Sequence, residues 1–220
     1  MKKKISVAIL GSSCDPPHAG HVAIMSLLLK HFDKVLLMPC YEHMYGKQMA
    51  PAKNRLEMCR IVAECDNRIK VSNYEIKNKL GGETYYLAKQ LLSESGAKEK
   101  YDYYFAIGGD NAVSFDKWFE YKKLKKIARF VVIPRAGIEL KSKGAWYCKH
   151  PHMLLIPEEP TPNVSSTSLR NALNLLSNYH YRSVNVSTDL CLTLASGYVK
   201  RYLNPDILEY IKNHNLYKKS

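Results

Sequence analysis

No stretch of this chain approaches the roughly 18 unbroken apolar residues of a membrane span. No membrane partner is therefore expected. The start, "MKKKISVAIL", has a basic tip, but its apolar run is short and leads into a glycine- and proline-bearing turn, so it reads as a first strand and not as a secretory leader. The six cysteines (Cys14, Cys40, Cys59, Cys65, Cys148, Cys191) contain no C-x-x-C pair. That absence removes the usual zinc and redox spacings, and reduced thiols in the cytoplasm are the expected state. Neither G-x-G-x-x-G nor G-x-x-x-x-G-K-[ST] occurs, so hydride-transfer and P-loop chemistry both lose their usual signature. Acidic residues are scarce as well: 20 Asp and Glu stand against 33 Lys and Arg, a formal charge of +13. The excess points to anionic partners, either nucleic acid or phosphorylated small molecules. Much of it lies in lysines such as Lys122, Lys123, Lys125 and Lys126, which suit a solvated helix face.

What is present is an alternation. "ISVAIL", "KVLLMP", "KVSNYE", "YYFAIG", "RFVVIP" and "MLLIP" read as strands, rich in β-branched and aromatic residues. "GHVAIMSLLLKHF", "AKNRLEMCRIVAEC", "ETYYLAKQLLSES" and "DKWFEYKKLKKIA" place apolar residues at helical spacing. Further helices are expected at "SSTSLRNALNLLS", with Ser or Thr as N-cap, and at "NPDILEYIKNH", with Pro205 in the first turn. Residues 178–197 show no clear period and are left unassigned. Strands alternating with helices imply a mostly parallel sheet covered on both faces, with ligands outside the carboxyl ends of its strands.

One strand-to-helix junction there is crowded with chemistry. "GSSCDPPHAGHVAIM" follows the first strand and sets His18 and His21 on the threshold of a helix. Backbone N–H groups and the helix dipole attract phosphate at that position. Two imidazoles would add movable donors, Gly20 would permit close approach, and Pro16 and Pro17 would fix the path of the loop.

The string G-S-S-x-D-P-x-H-x-G-H resembles the H-x-G-H nucleotidylyltransferase superfamily, and within it the nicotinate or nicotinamide mononucleotide adenylyltransferases. Further stretches are similar in the same order. "MPCYEHMYGKQMAPAKNRLEM" resembles the segment after the second strand, which implies Lys47 as a phosphate contact with Arg55 as its neighbour. Read from the residues alone, Arg55 could equally be the exposed side of an amphipathic helix. "LGGETYYLAKQL" resembles a G-G-x-S-Y-T segment that frames the pyridine nucleotide, matching Thr84 and Tyr85. "FAIGGDNAVSFDKWFEYKKL" resembles the family's I-G-x-D…W block, with Gly108 and Asp110 at a strand end and Trp118 stacking on the pyridine ring. "RFVVIPRAG" places Arg135 at the rim, "VSSTSLR" resembles the I-S-[SA]-T-x-[IV]-R signature, and "LNPDILEYIKNHNLY" resembles the closing helix.

The resemblance implies an α/β fold: a Rossmann-like doubly wound parallel sheet in a single nucleotidylyltransferase domain over 1–220, with a C-terminal helical subregion from about 165 to 220. It implies adenylyl transfer from ATP to nicotinate mononucleotide, a step of NAD biosynthesis that yields nicotinate adenine dinucleotide and pyrophosphate. His18 and His21 would be catalytic. Gly11, Ser12, Ser13, Cys14, His18, His21, Gly108, Asp110, Ser166, Thr167 and Arg170 would bind ATP, and Lys47, Thr84, Tyr85, Trp118 and Arg135 the mononucleotide. Lys47 and Arg170 would also hold the leaving pyrophosphate. Mg²⁺ would bridge phosphate oxygens with no protein ligand of its own.

The alternatives are nicotinamide mononucleotide as acceptor, another H-x-G-H transferase acting on phosphopantetheine or with a cytidylyl donor, and a basic nucleic-acid-binding module. The last would interleave basic and aromatic residues along one element. Here the aromatics gather at the family motifs, so no nucleic acid is expected; a homo-oligomer is left open. The family carries phenylalanine where this chain has Cys14. A thiol beside a helix start and two histidines is expected either to react with thiol reagents and be shielded by ATP, or to lie buried in the space of the phenylalanine.

Overall fold

The computed structural model of the protein describes residues 3–43, 46–94, 97–134, 140, 144–178 and 186–218. Alternate residues of a strand point to opposite faces, and here both faces are apolar. In β1 (Ile5–Ser12), Ala8 and Leu10 enter one buried cluster and Ile9 the other. β2 (Lys34–Pro39) divides Val35 and Leu37 from Met38 in the same way. β4 (Tyr101–Gly108) divides Ala106 from Phe105, and β5 (Arg129–Ile133) divides Val131 and Ile133 from Phe130. Strands buried on both sides need helices on both sides.

The helices supply that cover. On the first face lie Met25 and Leu28 of α1 (Ala19–Leu29) and Met58, Cys59 and Val62 of α2 (Ala52–Ala63). The same face takes Leu169 and Leu173 of α8 (Ser166–Asn178), Val199 of α9 (Val186–Tyr202) and Ile207 of α10 (Pro205–Asn213). On the second lie Leu87, Ala88 and Leu91 of α4 (Thr84–Ser93) and Leu124 of α7 (Tyr121–Ile127). Short helices α3 (Tyr74–Asn78), α5 (Ala97–Lys100) and α6 (Gly109–Val113) complete the connections.

With β3 (Ile69–Val71) and β6 (Met153–Leu154), the six strands run β3-β2-β1-β4-β5-β6, and each pair is parallel. The order reverses between β1 and β4, which opens a crevice beyond their carboxyl ends. This is the Rossmann-like doubly wound sheet expected from the sequence, with α8–α10 as the C-terminal helical part. Among the described residues no helix is long and apolar enough to cross a membrane.

The structure departs from the sequence reading in three places. "DKWFEYKKLKKIA" is not one helix: a 3-10 turn at Phe115–Lys117 gives way to extended backbone at Trp118, and a left-handed Glu120 precedes α7. β3 stops at Val71, because Tyr74 and Glu75 already belong to α3. Within the unassigned stretch 178–197, α9 begins at Val186, while 179–185 lie outside the described residues.

Candidate active site

The turn after β1 is held by the histidines themselves. His18 is the N-cap of α1, and its Nδ1 accepts from Gly20 N–H at 3.2 Å. His21 answers with its own Nδ1, which accepts from His18 N–H at 3.2 Å. A ring nitrogen that accepts carries no proton, so both neutral rings keep theirs on Nε2. The Nε2 of His21 donates to Ser12 Oγ at 2.9 Å, and that oxygen also accepts from Cys14 N–H at 3.3 Å. Ser12 thus retains its hydroxyl proton for a further acceptor. The two rings lie 4.0 Å apart. A Cβ at Gly20 would meet His18 Cε1 at 3.0 Å, so any larger residue there would press the imidazole out of its place.

Arg55 is the fixed point of the surrounding loops. It lies on α2 at 1% exposure, and its donors reach Ala50 O at 2.9 Å, Ser13 O at 3.0 Å, Cys40 O at 2.7 Å and Tyr41 O at 3.1 Å. It is therefore neither an exposed helix residue nor a phosphate ligand: it ties the loops after β1 and β2 to the start of α2. Asp15, fully buried, is held on Oδ1 by Ala50 N–H at 3.1 Å and by the Tyr217 hydroxyl at 2.8 Å. From α8, the Ser166 hydroxyl donates to Pro16 O at 3.0 Å, and Arg170 Nη1 donates to Asp15 O at 2.7 Å.

Two adjoining cavities open over this turn, and Ser12, Ser13, His21, Ile24 and Thr161 wall both of them. The larger, about 680 Å³, is polar; it adds His18, Lys47, Ser166 and Thr167. The smaller, about 280 Å³, runs along the strand ends past Gly11, Gly108, Thr84 and Trp118. A Cβ at Gly11 would meet nothing within 4 Å, so that strand end faces open cleft.

Among the residues singled out from sequence, Lys47 stands with the histidines and not with the ring-framing residues. Tyr85 does not line either cavity, because it turns about the helix away from Thr84 and meets Phe119 edge-on at 6.0 Å. Asp110 is exposed on α6, and its neighbour Asn111 faces the smaller cavity instead. The guanidinium of Arg170 is turned to Asp15 and to Thr167 Oγ1, at 3.1 Å, and not into the cavity. Cys14 is fully buried: at φ 48° it joins the core, where its thiol shares a hydrogen bond with the free thiol of Cys59. The buried alternative holds for it, and the exposed reactive thiol does not. Arg135 lies outside the described residues.

Burial and mutual repulsion set the local charges. Lys47 is pushed below its ordinary range by desolvation first and by the neighbouring Arg170 second. His43 is lowered by burial and then by Lys47, while burial drives Cys40 up to about 11. Sequence reasoning missed His43, Glu75, Asn111 and Thr161, all of which line the smaller cavity. Only Thr161 carried a signal, as a hydroxyl in the proline-rich approach to α8. Among the described residues no cluster of three His, Cys, Asp or Glu could hold a metal ion. The phosphate-sized end of the cleft offers imidazoles, hydroxyls and an ammonium, a donor set suited to an anion.

The cytidylyltransferase-like family model matches residues 9–172. A relative from Roseiflexus sp. named as a nicotinate-nucleotide adenylyltransferase is 30% identical over 96% of this chain and 98% of its own. Another so named, from Sulfurimonas denitrificans, is 34% identical over 77% of this chain and 86% of its own. Among solved structures, the Plasmodium falciparum nicotinic acid mononucleotide adenylyltransferase complexed with NaAD superposes with a TM-score of 0.68, at 18% identity over 98% of both chains. The histidine-bearing turn, Trp118 and the start of α8 thus sit in a chain that belongs to the cytidylyltransferase-like family and, within it, to the nicotinate-nucleotide adenylyltransferases.

Proposed function

We propose that the protein transfers the adenylyl group of ATP to nicotinate mononucleotide, forming nicotinate adenine dinucleotide and pyrophosphate as one cytoplasmic domain over 1–220. The carrying observation is that His21 walls both cavities, with His18 beside it at the start of α1. A reacting phosphorus at that junction meets imidazole N–H groups from one side and the amino end of a helix from below. ATP occupies the larger cavity, its phosphates among Lys47, Ser12, Ser166 and Thr167, with Arg170 close behind. The mononucleotide lies in the smaller cavity, where Trp118 stacks on the pyridine ring and Thr84 frames it. Mg²⁺ arrives on the phosphates of ATP as part of that substrate.

The 5′-phosphate oxygen of the mononucleotide attacks the α-phosphorus, the bond to the β-phosphate oxygen breaks, and pyrophosphate leaves with that electron pair. The attacking oxygen is already ionised at neutral pH, so no base is needed. Catalysis is positioning plus neutralisation of charge that grows on the α-phosphate oxygens. His18 supplies its Nε2–H to that charge, and His21, whose Nε2–H is held by Ser12 Oγ, acts on it through the Ser12 hydroxyl. Nicotinate is favoured over nicotinamide by the names of the relatives.

Pyrophosphate release, measured with each mononucleotide in turn, tests the assignment. A higher kcat/KM for nicotinate mononucleotide is expected, and preference for the amide or silence with both acceptors would overturn it. His18→Asn, which keeps an acceptor for Gly20 N–H but loses the Nε2–H, should lower kcat by about a hundredfold or more. His21→Ala should do the same, and near-normal turnover in either folded variant would remove the imidazoles from the mechanism.

A further inference from the structure

The buried carboxylate of Asp15 is only half satisfied. Its Oδ1 takes two hydrogen bonds, from Ala50 N–H and the Tyr217 hydroxyl. Its Oδ2 is buried without a hydrogen bond among the described residues and stands 3.5 Å from Arg170 Nη1. That nitrogen bonds the Asp15 main-chain oxygen instead, at 2.7 Å. Arg170 is the charge that Lys47 feels most strongly, and Lys47 lines the larger cavity. Asp15 is therefore a counter-charge to the guanidinium that stands behind the larger cavity, next to Lys47 on its wall. Were its carboxylate free to turn, a full ion pair with Arg170 would withdraw positive charge from the cavity.

The brake on that turn comes from the far end of the chain. After α10, Asn215 and Tyr217 both adopt left-handed backbone, at φ 51° and 62°. The resulting turn carries the phenol of Tyr217 back to Asp15, 202 residues earlier in sequence. Burial, and then the charge of Asp15, push that phenol well above its ordinary range, so it stays a donor throughout the working pH range. We infer that Tyr217 is a positioning residue for ATP: its hydroxyl holds Asp15 short of a full ion pair with Arg170 and so keeps the cationic end of the cavity available to the triphosphate. This rests on the reading of the larger cavity as the ATP site.

Calorimetric titration with Mg·ATP alone, without acceptor, tests the inference apart from the nicotinate assignment. Tyr217→Phe keeps the ring and its packing, and should raise the Kd for ATP about tenfold, the scale of one hydrogen bond to a charged group. In an Arg170→Ala background the same change should cost less than about twofold, because the group it acts through is gone. The Kd for nicotinate mononucleotide should not move in either background. Asp15→Asn, which keeps an Oδ1 acceptor and removes the competing charge, should bind ATP at least as tightly as the wild type, an outcome that simple disruption of the fold would not produce. An equal loss in both backgrounds, an equal loss for the mononucleotide, or weaker ATP binding by Asp15→Asn would overturn the inference. A wild type that binds no ATP would instead remove the proposed function beneath it.

Discussion

Replacing Glu75 by glutamine should make the protein more stable above neutral pH and leave it unchanged in acid. Glu75 sits on α3 at 6% exposure, against the wall of the smaller cavity. Tyr41 N–H donates to its carboxylate and the Arg55 charge is near, yet burial outweighs both and raises the carboxyl from 4.5 to about 7. The sign follows from proton counting. Below 4.5 the group is protonated in the folded and unfolded chains alike. As the pH climbs toward 7 the unfolded chain releases its proton while the folded chain keeps it, so stability falls; above 7 the loss is complete. At about 1.4 kcal/mol per pH unit, the interval from 4.5 to about 7 bounds that loss at roughly 3 kcal/mol. Glutamine can still accept from Tyr41 and has nothing to ionise, so the variant should escape the loss. Urea unfolding followed by tryptophan fluorescence at pH 4.5, 6 and 8 reads the effect as a midpoint difference that opens with pH. Equal midpoints at pH 8 would refute the dominance of burial. A variant equal in acid but weaker at pH 8 would show that the Arg55 attraction exceeds the desolvation cost.

Trp118→Ala should raise KM for the mononucleotide with little change for ATP, since the ring lines only the smaller cavity and packs on Phe115 at 5.2 Å. A loss confined to ATP would place Trp118 elsewhere. Among the cysteines, exposed Cys65, Cys148 and Cys191 should be alkylated quickly and buried Cys14 and Cys59 slowly, with ATP making no difference to the order. Peptide mass mapping that finds Cys14 modified first, and protected by ATP, would overturn its placement in the core.

Much of the sheet was legible because its strands are apolar on both faces, and runs such as "KVLLMP" have few other uses. The histidines were legible because a helix start, a glycine and two imidazoles state a chemistry in side chains. Arg55 was not, since the carbonyls that receive it have no residue code. The break at Trp118 escaped for a related reason: the left-handed Glu120 that makes it has a helix-compatible side chain and no glycine to announce it. In α9, Leu190 and Leu194 are exposed while Ala195 and Val199 are buried, so its apolar residues trace no single face. Cys14 misled because its position beside the phosphate turn was visible, whereas the inward twist of its backbone was not.

The grip of Arg55 on main-chain oxygens alone has an evolutionary edge. A donor that holds carbonyls is indifferent to whatever side chains hang from them, so positions 13, 40, 41 and 50 can drift without slackening the loops they anchor. Position 55 has no such latitude: a lysine ammonium cannot spread its donors across the arc that one planar guanidinium covers. A small molecule lodged in the cleft would press selection onto lining residues, many of which can change. The bracket beneath them, out of reach of any occupant, would stay as it is and hold the reaction geometry while resistance accumulates above it.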